Sequence, residues 1–420
     1  MLRKRLILLA GAIALVAAAC AGTSDSEPEE ANTTVAPVEP SPSTTTAEAG
    51  TPETTSSTSL APAQGVLPDG PSALTNMTDD AFPDPLIPIG EIISGGPPPD
   101  GIPPIDAPQF LNVAENLDLL DPAEAVVALE IDGDARAYPI RAMVWHEIVN
   151  DTVGGVPISV TYCPLCNSAV SYVREIRGVE TTFGTSGRLF ASALVMYDRA
   201  TESLWTHFDG TAVVGMLTGE QLEAVASPLM SWGDFRSAYP TGQVLDWTQT
   251  GFQRAYGSNP YTGYDNPDTA PFLFRGPLDD RARAKQRVVG VEIGDDAAAY
   301  SLDAIRGDDS GAATNTTVGD IPIAIFWVSG QASALDSTSI EEGADVGTVG
   351  VFLATIADQT LTFVADGDEF VDTETGSRWT ITGESIEGPL QGDRLQRLPH
   401  LDTFWFAWST YKPGTSLFEQ

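Results

Sequence analysis

Cysteine and histidine are scarce in this chain, with three of each in 420 residues, so candidates for sulfur or imidazole chemistry are few. Basic residues are scarce too. Lys and Arg total 21 against 58 Asp and Glu, and the formal net charge of −37 argues against a nucleic-acid or anionic-membrane surface. There is no Walker loop, no G-x-G-x-x-G at a strand–helix junction and no G-x-S-x-G elbow, so the familiar nucleotide-binding and hydrolase signatures are missing. Among 58 acidic residues no carboxylate pair can be singled out. One long apolar run exists, Leu6 to Ala19, and its roughly 14 residues fall short of the ~20 that a membrane-spanning helix needs.

That run follows Arg3, Lys4 and Arg5 and ends in Ala17-Ala18-Ala19-Cys20, the layout of a secretory signal. Small residues before a cysteine resemble a bacterial lipobox, with Ala17 where a larger aliphatic residue is usual. The resemblance implies a signal peptide over 1–20, lipidation of Cys20 and an extracytoplasmic protein anchored to the membrane by lipid; cleavage near Ala19 with secretion is the alternative. Residues 21–80 begin with a stretch dominated by Thr, Ser, Pro, Glu and Ala and read as a disordered tether, because such a composition buries too little apolar surface to offset its ordering entropy.

The remainder matches itself in order. VVALEIDGDARAYPIRA (126–142) parallels VVGVEIGDDAAAYSLDA (288–304), and TVGGVPISVTY (152–162) parallels TVGDIPIAIFW (317–327). DRATESLWT (198–206) parallels DTETGSRWT (372–380), and Gly215, Leu217, Gly219 and Leu222 recur as Gly388, Leu390, Gly392 and Leu395. Trp232 and Phe235 recur as Trp405 and Trp408. A collinear series with slow drift in offset reads as a duplication. The expected domains are a first β-rich repeat over 81–250, a Tyr-, Gly- and Pro-rich connection over 251–285, and a second β-rich repeat over 286–420. The fold class is mainly β with a few short helices, the two units related by a pseudo-twofold. Within a copy, VVALEI, a turn at Asp132-Gly133-Asp134 and ARAYPI predict a hairpin. A helix closes each copy. Ser231 caps the first, with Asp234 three residues on and Pro240 as the stop, and Pro413 stops the second. Tyr256, Tyr261 and Tyr264 of the connection either line a cleft or anchor the loop, and Arg199, absent from the second copy, is placed towards the first-copy site.

Cys163 and Cys166 lie in VTYCPLCNSAV. At an offset of 165 the second copy has Val328 and Gln331 opposite them, so any chemistry is lopsided. Three readings stay open. The first is a soft-metal site for copper or zinc on Cys163 and Cys166, with His146 as third ligand and Met196 as a thioether that would favour copper; His207 or His400 would complete a zinc site only if the fold brings one near. The second is thiol–disulfide exchange, although NSAVSYVREI after Cys166 reads as a strand and not as the helix that lowers a thiol's pKa. The third is a structural disulfide in a binding or scaffold protein whose protein partner is unknown.

WHEIVND, VTYCPLCNSAV, FGTSGRLFASALVMYDRATESLW and DTFWFAWSTYKP closely resemble the bacterial and archaeal family known as domain of unknown function 3179, from about residue 110 onwards. Asn167 replaces the family's usual Gly, and His207 stands where Gln is commoner. The resemblance implies a secreted or lipid-anchored protein and supplies no reaction.

Overall fold

The computed structural model describes residues 65–307 and 310–419. Cys20 and the expected signal segment lie outside them, as does most of the expected tether. Its final part, 65–80, is turn and coil on the folded body, where Ala73 is fully buried and Leu74 and Met77 pack on a core that includes Val195 and Leu204. Those apolar side chains hold this stretch where composition alone predicts disorder.

Strands dominate and four short α-helices complete the architecture among the described residues. The predicted hairpin forms from Ala125–Ile131 and Asp134–Pro139, in antiparallel register from Val126 opposite Pro139 to Ile131 opposite Asp134. Asp132 and Gly133 make its turn at φ +50° and +84°, the two-residue geometry that matches strand twist. The second copy builds the same hairpin from Arg287–Ile293 and Asp296–Ser301. Each hairpin gains an antiparallel neighbour on its first strand (Leu229–Ser231 or His400–Phe404) and a parallel one on its second (Gln243–Leu245 or Ser416–Phe418).

Correspondence extends to individual hydrogen bonds. The Asp198 carboxylate accepts the Thr201 N–H at 2.6 Å and the Trp205 indole N–H at 2.9 Å; Asp372 accepts those of Thr375 at 2.6 Å and Trp379 at 3.0 Å. The Asn150 side chain exchanges two bonds with the backbone of Phe183, and Asn315 does so with Phe363. Asp198 is therefore a turn-building residue. The strand Val156–Cys163 and its counterpart Ile321–Val328 both have eight residues, so Cys163 and Val328 occupy the same terminal position.

The helix Trp232–Ala238 starts as expected: Ser231 Oγ accepts the Asp234 N–H at 3.0 Å, and the Asp234 carboxylate also accepts the Thr348 hydroxyl from the second half. Trp405–Tyr411 is the second closing helix. It crosses the strand Arg287–Ile293 at Gly290, where a Cβ would stand 2.2 Å from the Trp408 ring. Two further helices, Ile140–His146 and Leu302–Ile305, follow the second strand of each hairpin. Pro139, at φ −61°, has no N–H to continue a ladder and sits naturally before a first helical turn.

One buried apolar cluster joins Ile148, Met196 and Trp205 of the first half to Val288, Ala299 and Phe404–Trp408 of the second. Cys163 and Cys166 lie inside it.

Candidate functional site

Cys163 ends its strand and Ser168 begins the next, the two standing opposite each other in the antiparallel ladder. Four residues turn the chain between them. Tyr162 donates its hydroxyl to Asn167 at 3.2 Å, and Asn167 takes the left-handed conformation at φ +51°, one that a glycine adopts without strain. The second half grips this turn. The Cys166 carbonyl accepts the Thr403 hydroxyl at 2.7 Å and the Phe404 N–H at 3.1 Å. Asn167 reaches Asp402, which is paired bidentately with Arg287 at 2.5 and 3.1 Å in a nearly dry setting. The connection covers the other side, where Tyr264 donates to the Leu165 carbonyl at 3.0 Å and accepts the Phe272 N–H at 3.0 Å. Lys285 lies 4.2 Å from the centre of the Tyr264 ring.

Both cysteines are free and buried, and at 3.2 Å the pair is not a disulfide, which needs an S–S distance of about 2.0 Å. The structural-brace expectation is thus corrected. Hydrogen bonds from Thr403, Phe404 and Tyr264 hold the turn without a sulfur bridge, and the sulfur-free counterpart is likewise tied by the Gly330 N–H to the Asp345 carboxylate.

The two thiols are unequal. Burial pushes the Cys163 thiol up, but hydrogen bonds from the Cys166 thiol and from the N–H groups of Leu194, Cys166 and Leu165 outweigh it, so its pKa lies below the ordinary thiol value. The Leu194 N–H stands 3.4 Å from the sulfur. Burial and the neighbouring Cys163 push Cys166 well above that value. One proton shared between two sulfurs yields a thiolate at Cys163 and a thiol at Cys166.

Behind Cys166 the donor directions follow from a single carbonyl. Val170 O can only accept, and it takes the Thr161 hydroxyl at 2.6 Å. Thr161 Oγ1 therefore accepts the Nδ1–H of His207 at 2.9 Å, and His207 Nε2 accepts the Ser168 hydroxyl at 3.1 Å. The Ser168 oxygen also lies 2.8 Å from the Cys166 sulfur, linking this chain to the thiol pair. Burial depresses the His207 pKa to about 4, so this neutral tautomer persists at pH 7. His207 thus stands one hydroxyl away from sulfur, in a hydrogen-bond chain and not as a direct ligand.

The other expected site residues divide. Met196 is fully buried in the same cluster as the sulfurs, and Tyr261 and Tyr264 pack against that cluster. His146 is elsewhere: its Nδ1–H donates to Pro103 O at 2.7 Å and its Nε2 accepts the Tyr256 hydroxyl at 2.8 Å, with the two rings stacked 5.8 Å apart. It anchors the connection, and so does Tyr256. Arg199 faces away, pairing with Asp106 at 2.7 Å and Asp100 at 3.1 Å at the surface. His400 bonds Leu398 O at 3.0 Å. Among the described residues no group of three His, Cys, Asp or Glu side chains is placed to hold a metal ion, so the expected ligand set does not assemble.

Glu147 was not singled out by the sequence. It follows the helix Ile140–His146 at φ +59°, is only 7% exposed, and burial together with the charge of Cys163 raises its pKa well above the usual carboxylate value. Ala191 and Ser192, just before Leu194, are also left-handed, at +50° and +62°. Backbone strain thus collects around Cys163, as it does at sites where geometry serves chemistry.

Fold and site together define a mainly β protein with an inequivalent, buried pair of thiols. A family model described as "Protein of unknown function (DUF3179)" matches residues 99–415, and the chain belongs to that family. A search of curated proteins found no match, and neither did a search of solved structures.

Proposed function

We propose that Cys163 and Cys166 form a dithiol redox centre in which Cys163 attacks as thiolate and Cys166 resolves the mixed disulfide. The observation that carries this reading is the inequality of the pair, with N–H and S–H donors converging on Cys163 while Cys166 keeps its proton beside Ser168 and His207. In reduced protein, iodoacetamide is expected to modify Cys163 first, with half-maximal rate below the ordinary thiol pKa, and a small aryl disulfide is expected to be consumed with formation of the Cys163–Cys166 bond. Cys163→Ser is expected to abolish both; labelling of Cys166 ahead of Cys163 would overturn the assignment.

A second reading has one observation of its own. Met196 shares the sulfur cluster, and thiolate and thioether donors select Cu(I), whereas zinc wants four ligands. Metal analysis of the same samples separates the two, because copper that copurifies with the parent and is lost from the Cys163→Ser, Cys166→Ser protein would assign the sulfurs to Cu(I).

The lipobox-like run supports placing the protein outside the cytoplasm, held by lipid on Cys20. The expected mass of the mature N-terminal peptide is that of one beginning at a diacylated Cys20, and a peptide retaining residues 1–19 would refute it. The recurring hairpins and side-chain bonds support descent of the two halves from one duplicated unit.

A further inference from the structure

We infer that the largest cavity on the seam between the two halves binds a small organic cation of the guanidinium type, an inference that stands apart from the dithiol reading. The cavity measures about 390 Å³, the size of a small-molecule site. Both halves line it. The first supplies Tyr172, Phe208 and Asp209, and the second supplies Glu292, Trp408 and Lys412.

The charges in it leave one carboxylate without a counterion. Lys412 is paired with Glu292, its ammonium 2.7 and 2.6 Å from the two carboxylate oxygens. Asp209 has no such partner. Its Oδ1 accepts the Thr206 hydroxyl and, at 3.3 Å, the Thr211 N–H, whereas Oδ2 has no hydrogen bond among the described residues. The turn that carries Asp209 is longer than its counterpart. Gly210 O accepts the Leu222 N–H at 3.0 Å, and Gly383 O accepts the Leu395 N–H at 2.8 Å, which matches the two turns. Thr206 then bonds Thr211 across four residues, where Thr380 bonds Glu384 across three. The longer turn holds Phe208 and Asp209 where the shorter one holds Thr382.

The second copy shows what such a space takes. Ala224 stands opposite Tyr172 in the antiparallel ladder, and Arg397 stands opposite Phe352 in the same way. Tyr172 and Phe352 are each the fifth residue of a six-residue strand. The Arg397 guanidinium lies 5.0 Å from the centre of the Phe352 ring and donates to the Thr382 carbonyl at 3.3 Å. The cavity beside it is lined by Ala128 and Glu130 where the larger one has Gly290 and Glu292, and it measures only about 140 Å³. There the chain's own cation sits on an aromatic ring and against the turn. In the larger cavity Ala224 is too short to do the same, so the ring of Tyr172 and the longer turn face open space, with a carboxylate added. Aromatic faces attract cations, and a carboxylate adds a charge-assisted hydrogen bond. The net charge of −37 favours a cation over an anion as the visitor.

The test compares benzylguanidinium with its uncharged isostere benzylurea by titration calorimetry, in about 0.15 M salt to screen the net charge. The parent is expected to bind benzylguanidinium at least about tenfold more tightly than benzylurea. Asp209→Asn keeps an acceptor for Thr206 and Thr211 and removes the charge. It is expected to weaken the cation about tenfold and to leave benzylurea nearly unchanged. Ala224→Arg, at an exposed position, sets a guanidinium where Arg397 sits in the smaller cavity, and is expected to abolish binding of both probes. Equal affinity of the parent for the two probes would show that no charge is read. Undiminished binding of the cation in either variant would place it elsewhere on the protein. Either result overturns the inference, as does the absence of binding by the parent up to about 10 mM benzylguanidinium.

Discussion

Asp402→Ala is expected to lower unfolding stability by about 3–5 kcal/mol, the loss typical of a buried ion pair that is deprived of one partner. Arg287 would keep its charge at 10% side-chain exposure with only a 3.3 Å bond to Ser333 left. Asn167 would lose a partner as well, so the loss reaches the turn that carries the cysteines. The cost lies in the orphaned charge more than in the strength of the pair. Replacing both residues, Arg287→Met with Asp402→Leu, is therefore expected to return to within about 2 kcal/mol of the parent. Urea unfolding at pH 7, with the slope compared between variants, checks both figures. A loss below about 1 kcal/mol for Asp402→Ala would show that the clamp on the turn is something other than this pair.

The second large effect is expected from His207→Gln as a function of pH. Folded His207 titrates near 4 because burial opposes its charge, whereas an unfolded histidine titrates near 6.5. Between those values the unfolded chain binds a proton that the folded chain refuses, so this group favours folding fully above pH 6.5 and loses that contribution as pH falls towards 4. The lost contribution amounts to about 3 kcal/mol. Glu147 works in the opposite sense, since its raised pKa means that the folded chain holds a proton there that the unfolded chain releases above about pH 4.5. Total stability therefore mixes the two. The difference between parent and His207→Gln isolates the histidine, and is expected to move about 3 kcal/mol in the variant's favour from pH 7 to pH 4. Urea midpoints at several pH values measure it, and a difference independent of pH would mean that His207 is not held neutral.

Strands and turns were legible because their signals are local. The apolar run VVALEI and the Asp132-Gly133 pair announce the first hairpin, and Ser231 with Asp234 announces a helix start. The helices Ile140–His146 and Leu302–Ile305 were not legible, because the first has no side-chain cap at Pro139 to announce it and the second is a single turn of four residues. At the site, the spacing of Cys163 and Cys166 and their absence from the second copy drew attention to the right turn. His146 was the wrong partner, because proximity in sequence says nothing of where an imidazole points when Pro103 and Tyr256 occupy both of its nitrogens. His207 and Ser168 meet across 39 residues, a separation no local pattern encodes. Glu147 is one of 58 acidic residues, and only burial and its left-handed backbone distinguish it.

The shared interior also governs how such a chain can be cut or recombined. The carbonyl of Cys166 rests on Thr403 and Phe404, more than 200 positions downstream, and Trp405 and Trp408 pack in the same interior as the sulfurs. Expressed alone, the leading half would meet water with its sulfur turn unclamped. The trailing half would present a wall of aromatic rings. Neither half is therefore a transplantable module, because the sulfur turn belongs to the seam between them.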